Sequence, residues 1–452
     1  MEGKKLRYNK KRIIAIFTFI LFIGIVLLFT GRIIRAKFIG DSTTIVNGFY
    51  AEKDNDIDML VIGSSNSFCT INPLVLYENY GIAAYDFGSS SQPMNISALY
   101  LKEALKTQKP KLVALEINMM VGDSISGANE AGLRWGLTDI PLSFDKLKCI
   151  YESVGEINAE YFSYVFPIFR YHNRWKELSK TDYTYFYQDK TNHTKGYLET
   201  QSVVETAIDL SGYDSVGEAW IDERNIKYLD EMLQLCRDNS VELLLFKSPK
   251  QNWHSYETDA IRELANERGL NFVDYNELYF NNEIELDTIQ DFRDGDHLND
   301  FGAEKVTMHL GAYVKENYEL PERRDSKEFN SWDKACEYKE RSQWQEFMAA
   351  PDAKECLELL QNDAEYVLIV THRNASDVEQ WVYENKQVIF NRKWTENGIW
   401  HKSIGESELV LSKLGGVYQV LIDGIENYKA EGEWNIIVYD KIVGKVISNL
   451  TY

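Results

Sequence analysis

The sequence predicts an α/β protein with a five-stranded parallel sheet, preceded by a transmembrane helix and followed by a β-rich domain. Three observations predict this class. Short apolar runs alternate with helical patterns in the middle of the chain, a long uncharged apolar run lies near its start, and strand patterns dominate its end. Buried strands separated by helices form βαβ units, whose right-handed crossovers favour a three-layer α/β/α sandwich.

Length and composition narrow the function classes. The chain has 452 residues, 44% of them hydrophobic, which is enough for two cores of ordinary size. Its formal charge of −21 argues against nucleic acid as a partner. The five cysteines are scattered and form no CxxC motif, so we expect neither a disulfide framework nor a zinc site. We expect no cofactor.

The apolar run near the start predicts a membrane anchor. The nineteen residues from Ile13 to Gly31 carry no charge and are long enough to span a bilayer as a helix. Six basic residues precede the run and three follow it, so the positive-inside bias places residues 1–12 in the cytoplasm and the body outside. We therefore expect a single-pass cell-membrane protein with an uncleaved signal anchor over 13–34. A cleavable signal peptide is the alternative, but its small-x-small site is missing.

The predicted sheet domain covers residues 50–318. Its five strands are DMLVIG (58–63), AAYDFG (83–88), KLVALEIN (111–118), VELLLFKS (241–248) and LNFVDY (270–275). Helices are predicted near 73–80, near 95–107, over Asn225–Arg237, near 257–268 and after Gly302. In Asn225–Arg237, apolar residues recur at spacings of three and four, which indicates an amphipathic helix.

Two further segments complete the predicted organisation. Residues 119–224 interrupt the strand-helix alternation and are rich in aromatic residues, which favours a folded insertion over a flexible loop. Residues 319–345 are dense in charge and poor in aliphatics, as expected of a linker that turns into a helix. A mainly β domain is predicted over 346–452, from AEYVLIVTH (364–372), QVIF, GVYQVLIDG (416–424) and EWNIIVYDKIVGKVIS (433–448).

Two segments of the sheet domain carry residues suited to acyl chemistry. VIGSSNSF places Ser65 after the first strand, at the carboxyl edge where open α/β folds bind ligands, although a serine there is ordinarily a turn or cap residue. DFRDGDHLNDFGAEKVT places Asp294 three residues before His297, a spacing that lets the carboxylate accept the Nδ1–H and leaves Nε2 for a serine proton. A solvated acidic loop is the alternative. In a sheet of order 2-1-3-4-5 both segments meet at one edge.

These motifs resemble those of the SGNH (GDSL-type) hydrolase superfamily, whose fold is flavodoxin-like. GSSNS matches the serine block, Gly88 in YDFGSS the glycine block and DGDHLNDFGA the Asp-x-x-His block, over roughly residues 55–318. The resemblance implies a catalytic triad of Ser65, His297 and Asp294. It also implies an oxyanion hole formed by the backbone N–H groups of Ser65 and Gly88.

The sequence departs from this family at two points. Ser64 replaces the usual aspartate before the nucleophile, and no GxND block is present, so Asn118 at the end of the third strand is the substitute for its asparagine in the oxyanion hole. Removing one oxyanion donor typically costs about 2.7–4 kcal/mol of transition-state stabilisation. The departure therefore concerns efficiency rather than the type of reaction.

The run FPIFRYHNRWKEL (166–178) is similar to segments of membrane-linked SGNH proteins encoded beside membrane-bound O-acyltransferases, such as those of teichoic-acid D-alanylation and alginate acetylation. This similarity implies a membrane-bound O-acyltransferase as acyl donor and a cell-surface glycan as substrate. We expect His172 and Arg174 to line the acyl pocket, where a guanidinium binds an anion. The alternative is a packed aromatic segment with its polar heads in water. Lys247 has the edge position of a substrate contact, or is solvated.

The expected function is acyl transfer through a covalent Ser65 ester. Hydrolase and transferase share this intermediate and differ in whether water or a sugar hydroxyl attacks it. The membrane anchor favours O-acylation of an extracellular glycan, with esterase action on the same polymer as the alternative. A catalytically inactive scaffold that binds glycan is a second alternative, which the missing GxND block favours.

The end of the chain carries a second resemblance. GGVYQVLIDGIENYKAEGEWNIIVYDKIVGKVIS is similar to the interleukin-like EMT inducer domain, with Trp434 at a position that is usually small. We expect a non-catalytic module that binds carbohydrate or a partner, since the flat faces of Trp394, Trp400 and Trp434 suit sugar rings when they are exposed. A structural cap is the alternative. Cys69, close to Ser65 in sequence, is expected to be a buried small hydrophobe.

Overall fold

The computed structural model describes residues 2–37, 41–125, 130–200, 202–324, 326, 329–343, 346–360, 366–372, 388–390, 398–404, 407–414, 417–427, 433–441 and 444–452. The chain forms two compact units. The first comprises Met1–Asp182 and Asp189–Ala335, and the second comprises Tyr183–Gln188 and Cys336–Tyr452. The division after Ala335 falls earlier than the start of the predicted C-terminal domain at 346.

The first helix of unit 1 contains the apolar run. Helix α1 (Glu2–Ile34) includes a stretch, Lys10–Ile34, that is long and apolar enough to cross a membrane. Large apolar side chains from Ile13 to Phe29 along this stretch are exposed. In the described part of the chain no other helix has this length and composition. The helix has the properties of a single-pass anchor or a signal sequence.

The sheet of unit 1 has five parallel strands. They are β1 (Met59–Ile62), β2 (Ala84–Asp86), β3 (Leu112–Glu116), β4 (Glu242–Lys247) and β5 (Asn271–Asp274). Their order is β2-β1-β3-β4-β5, and every neighbouring pair is parallel. The predicted parallel sheet and its order are confirmed. Because all carboxyl ends share one edge, residues that follow β1 and β5 lie at the same side of the sheet.

In the described part of the chain, thirteen further helices lie between residues 42 and 317. They are α2 (Ser42–Ala51), α3 (Ser65–Phe68), α4 (Pro73–Tyr80), α5 (Met94–Ala104), α6 (Glu130–Leu137), α7 (Phe144–Val154), α8 (Ala159–Val165), α9 (Ile168–Tyr171), α10 (Lys180–Thr184), α11 (Glu223–Asp238), α12 (Ser255–Arg268), α13 (Tyr275–Phe280) and α14 (Asp300–Asn317). Helix α4 packs against α14, and α5 packs against α11. The residues at its two ends determine the bounds of α4. The Asn72 side chain accepts a hydrogen bond from Leu74 N–H, and Pro73 occupies the first turn. Gly81, with φ +64°, ends the helix.

The insertion predicted over 119–224 is folded where it is described. It contains α6 to α10, joined by short 3₁₀ turns, one of which spans His172–Lys176. Helix α9 and this turn contact the end of α1. A Cβ added to Gly31 would lie 3.1 Å from Pro167 Cδ, so the backbone of α1 approaches this segment closely.

Unit 2 is β-rich, as predicted. Its elements are α15 (Asn330–Gln343, which begins in unit 1), α16 (Ala353–Leu360), β6 (Tyr366–His372), β7 (Val388–Phe390), β8 (Ile399–Ile404), β9 (Ser407–Leu414), β10 (Val417–Ile422), β11 (Ile425–Glu426), β12 (Trp434–Asp440) and β13 (Lys445–Thr451). The described residues of this unit form two four-stranded sheets, with orders β11-β10-β9-β8 and β13-β12-β6-β7. Along β6, Leu368 and Val370 pack toward α16, whereas Ile369 packs with Leu409 and Val420 of the other sheet. The two sheets thus share an apolar core.

Candidate active site

A tight turn after β1 carries the candidate nucleophile. Strand β1 ends at Ile62, and α3 begins at Ser65, whose side chain is half-buried. A Cβ on Gly63 would lie 2.7 Å from Glu116 Cβ and 3.0 Å from Ser67 Cβ, so the turn requires glycine at this position. The Ser65 hydroxyl therefore stands at the carboxyl edge of the sheet, at the first position of a helix.

The candidate base approaches from the loop before α14. Asn299 fixes the end of this loop, since its side chain caps the N–H groups of Phe301 and Gly302. Asp294 accepts from the backbone N–H of Asp296 at 2.9 Å, which closes a local turn and orients its carboxylate. His297 then lies between the carboxylate and the serine.

The three side chains form one hydrogen-bonded series. His297 Nε2 lies 2.8 Å from Ser65 Oγ, and His297 Nδ1 lies 2.8 Å from Asp294 Oδ1 and 3.0 Å from Oδ2. With the proton on Nδ1, the imidazole donates to Asp294 and Nε2 accepts the hydroxyl proton of Ser65. The structure therefore brings together the three residues of the expected triad, although Asp294 and Ser65 are 229 positions apart in the sequence.

The protonation states suit proton transfer. Burial lowers the pKa of His297 below its ordinary 6.5, although Asp294 opposes this shift. Burial by itself would raise the pKa of Asp294, but the Asp296 N–H and the facing imidazole hold that pKa below 3.8. At neutral pH the carboxylate is ionised and the imidazole is neutral, so the imidazole can accept a proton.

The lowered pKa of His297 predicts the pH dependence of activity. The imidazole acts as a base only when neutral, so activity should be complete at pH 7 and be lost as pH falls through a pKa below 6.5. The measurement is kcat/KM for a small soluble ester against pH. In Arg293→Gln the acid limb should move to higher pH, because the Arg293 cation lowers the pKa of His297. An acid limb centred above pH 6.5 in the native protein would contradict this assignment.

The backbone N–H groups of Ser65 and Gly88 are the candidate donors of the oxyanion hole. A Cβ on Gly88 would lie 2.6 Å from Gly63 O, so the chain after β2 runs directly beside the turn that carries Ser65. Ser67 donates to Asp86 Oδ1 at 2.9 Å and ties α3 to the end of β2. Among the described residues neither the Ser65 nor the Gly88 backbone N–H donates to a protein acceptor. Both are free to donate to a developing oxyanion.

Asn118 follows β3 at the same edge of the sheet. Its backbone N–H donates to Glu116 Oε2 at 3.0 Å, and its half-buried side-chain amide contacts Met119 Sδ at 3.9 Å. Among the described residues this sulfur is the one partner of the side-chain amide. The role of Asn118 as the third oxyanion donor stays a prediction.

Asn66 is a structural residue of the site that the sequence analysis missed. Its Nδ2 donates to Asp296 O at 2.7 Å, and its backbone carbonyl accepts from Ser248 Oγ at 2.7 Å. These bonds join the serine turn to the Asp-His loop and to the segment after β4. The position of Asn66 directly after Ser65 in GSSNS was the signal available in the sequence.

Lys247 was expected to be either a substrate contact or a solvated side chain, and the structure places it in the protein interior. The side chain is completely buried; Nζ donates to Ser248 O at 2.8 Å, lies 3.4 Å from Glu116 Oε1 and stands 4.9 Å from the centre of the Trp253 ring. Burial lowers its pKa, and Glu116 opposes this shift. Lys247 is therefore neither solvated nor a direct substrate contact, but part of the support beneath the carboxyl edge.

Replacing Lys247 by methionine is expected to destabilise the protein by about 3–5 kcal/mol, because the Glu116 charge would remain buried without its cation. The measurement is thermal unfolding of the detergent-solubilised chain. The double variant Lys247→Met/Glu116→Gln should recover most of the loss. Lys250→Met is the matched control, since the Lys250 pair with Asp296 is near the surface and contributes about 1 kcal/mol or less. Equal stability of Lys247→Met and the native chain would refute this role.

His172 and Arg174 lie apart from the triad contacts. His172 is exposed, and its Nδ1 lies 3.2 Å from Phe169 O. Arg174 donates to the backbone carbonyls of Ile34 and Arg35, at 2.8 and 2.6 Å, and to Asp182 at 3.0 Å. The guanidinium is thus engaged at the end of α1, and its expected role in an acyl pocket stays a prediction.

The remaining candidates are metal-binding side chains and the thiol of Cys69. Among the described residues no group of three or more His, Cys, Asp or Glu side chains is arranged to hold a metal ion. Cys69 is buried, as expected, and burial raises the pKa of its thiol to about 12.

Fold and site together define an α/β protein with a hydrogen-bonded serine, histidine and aspartate at the carboxyl edge of its parallel sheet. The chain matches no protein-family model, and no curated protein matches it. The reaction class is therefore inferred from the geometry of the site.

Proposed function

We propose that this protein is a membrane-anchored serine acyltransferase of the SGNH type, acting on O-acyl groups of a cell-surface glycan outside the cytoplasm. The observation that carries this proposal is the 2.8 Å contact of His297 Nε2 with Ser65 Oγ, backed by the contact of Asp294 with Nδ1. A serine hydroxyl is a poor nucleophile unless a base accepts its proton as it attacks. The neutral imidazole of His297 supplies that base.

In the proposed first step Ser65 Oγ attacks the acyl carbonyl of the donor, and its proton passes to His297 Nε2. The backbone N–H groups of Ser65 and Gly88 stabilise the oxyanion. The leaving group takes the proton from His297 as the carbonyl re-forms, which leaves an acyl ester on Ser65. A sugar hydroxyl then attacks this ester in the same way and releases the serine.

The SGNH assignment rests on several features together. The strand order 2-1-3-4-5, the serine after β1, the glycine after β2 and the Asp-x-x-His loop before the last helix follow the pattern of that family. The packing of α4 with α14 and of α5 with α11 is compatible with helix layers on both faces of the sheet. These features support a three-layer, flavodoxin-like arrangement.

The proposal favours transfer over hydrolysis because of α1. An anchor would hold the body beside a donor in the membrane, such as a membrane-bound O-acyltransferase, with the N-terminus in the cytoplasm. Esterase action on the same polymer uses the same triad, and the direction is decided by experiment. Deleting the gene should lower the O-acyl content of the surface glycan, and Ser65→Ala should fail to restore it. A rise in acylation would indicate deacylation, and full restoration by Ser65→Ala would indicate a binding protein.

For unit 2 we propose glycan binding without catalysis, in a domain of the interleukin-like EMT inducer type. Trp400 is exposed, which suits stacking on a sugar ring, whereas Trp434 packs edge-on against His372 with ring centres 4.4 Å apart. Trp394 lies outside the described residues.

Trp400→Ala in the full chain should reduce retention on immobilised cell-envelope polysaccharide and leave hydrolysis of a small ester unchanged. The reason is that the exposed ring offers a face to the sugar but takes no part in the triad. Trp220→Ala, which removes an exposed tryptophan of unit 1, is the control. Equal retention of Trp400→Ala and the native chain would contradict the proposed binding face.

A further inference from the structure

An exposed aromatic surface adjoins the end of α1. The segment 159–176, here called the aromatic segment, comprises α8, α9 and the 3₁₀ turn after them. Phe162, Phe166 and Phe169 follow one another with ring centres 6.4 and 6.0 Å apart. Phe162, Phe169 and Trp175 are 42, 53 and 64% exposed. Three large rings in one short segment are therefore open to their surroundings, which soluble surfaces rarely show.

Polar bonds fix this segment to α1. Arg174 donates to the carbonyls of Ile34 and Arg35, and Lys37 Nζ donates to Ile33 O at 2.5 Å and Arg35 O at 3.0 Å. These cations satisfy carbonyls that a helix end leaves without partners. Arg174 and Lys37 both pair with buried Asp182, at 3.0 and 3.4 Å. The aromatic segment and the last turn of α1 therefore form one connected structure.

The contact with Arg174 fixes the position of the aromatic segment along the axis of α1. The stretch suited to a membrane extends to Ile34. Its large apolar side chains between Ile13 and Phe29 are largely exposed, whereas Gly31 packs against Pro167 and Ile34 is buried. The carbonyls that accept from Arg174 of the aromatic segment, those of Ile34 and Arg35, lie at the end of that stretch. If α1 spans a bilayer, the segment is at the level where hydrocarbon gives way to headgroups.

We propose that the exposed rings of the aromatic segment lie in the headgroup region of the bilayer that α1 spans, as a second and peripheral membrane contact of the body. Aromatic side chains favour this boundary because their rings are apolar and their edges or attached groups tolerate water. Lys176 Nζ stands 5.6 Å from the centre of the Trp175 ring, so a cation accompanies the rings as interfacial segments require. The proposal rests on α1 as a membrane span, which is part of the proposed function.

This contact would orient the candidate site. Arg134 of α6 donates to Ser163 O at 3.0 Å within the aromatic segment. Two residues further along α6, a Cβ on Gly136 would lie 3.0 Å from Ser89 Oγ, and Ser89 directly follows Gly88. Helix α6 thus connects the aromatic segment with the oxyanion side of the site. The site would face a donor whose acyl group is presented at the membrane surface.

The test uses full-length protein in liposomes of phosphatidylcholine alone, with no protein partner. Single cysteines introduced by Phe169→Cys and Trp175→Cys are labelled with a nitroxide, and its collisions with oxygen and with a water-soluble nickel complex are compared. Phe19→Cys in α1 is the reference for lipid, and Lys109→Cys, exposed before β3 at the opposite edge of the sheet, is the reference for water. The native chain treated identically gives the background from its own cysteines, four of which are buried.

The proposal predicts that the oxygen-to-nickel collision ratio at 169 and 175 shifts from the Lys109 value toward the Phe19 value. Water-like ratios at both positions, with a lipid-like ratio at 19, would overturn it and leave a protein partner as the occupant of this surface. A water-like ratio at 19 would overturn it together with the membrane span. Neither result would affect the reactivity of Ser65, so failure of this proposal is distinguishable from failure of the catalytic one.

Discussion

Ser65→Ala is expected to reduce kcat for a small soluble ester to the background rate, a loss on the order of 10⁶-fold if the triad is as efficient as in well-studied serine hydrolases. The alanine lacks the atom that forms the acyl ester, and among the described residues His297 Nε2 bonds to no other hydroxyl. The measurement is the steady-state rate with purified full-length protein.

Ser64→Ala is the matched control for this loss. Ser64 Oγ is buried and lies 3.3 Å from Asn66 Oδ1, so it stands beside the nucleophile in sequence but outside its hydrogen bond to His297. The control should keep most of the activity. If Ser64→Ala loses as much activity as Ser65→Ala, or Ser65→Ala retains activity, the nucleophile is assigned wrongly.

Asp294→Asn is expected to lower kcat by on the order of 10⁴-fold while the protein stays folded. An amide at this position offers its NH₂ group to Nδ1, which favours the imidazole tautomer with its proton on Nε2. That tautomer cannot accept the proton of Ser65. The measurement is kcat across the pH range in which the native enzyme is fully active.

Asp296→Asn provides the comparison for Asp294→Asn. The Asp296 carboxylate is 57% exposed and pairs with Lys250 at 3.0 Å, while only the backbone of Asp296 contacts Asp294 and Asn66. The amide keeps those backbone contacts, so activity should change by only a few-fold. Similar losses in both variants would show that general charge on the loop, rather than the Asp294–His297 bond, is what activity requires.

The sheet and the triad were predictable because their signals are local. Each strand of the sheet is a short apolar run between helical patterns, and parallel strands bring their carboxyl ends to one edge. Ser65 follows β1, and the Asp-x-x-His spacing sets the histidine and its aspartate within one turn. The hydrogen bond between His297 and Ser65 then follows from the strand order, which the structure confirms.

The surroundings of Arg174 and Lys247 could not be predicted from the sequence because they depend on distant contacts. Arg174 bonds to carbonyls about 140 positions away, and Lys247 meets Glu116 across two neighbouring strands. Such contacts leave no pattern in the nearby sequence, so a lysine at a strand end gives the same signal whether buried or solvated. Strand β8 (IWHKSI) was missed because five of its six residues are exposed and its polar residues hide the strand pattern.

Reaction of the full-length protein with a fluorophosphonate, followed by mass mapping of the adduct, shows whether Ser65 is an activated nucleophile. Such a reagent phosphonylates a serine that a neighbouring base activates, and it needs no knowledge of the natural acyl group. We expect one adduct, on Ser65, formed in the native chain and in Asp296→Asn but lost in Ser65→Ala and His297→Ala. An unlabelled native protein, or an adduct on any other residue, would contradict it.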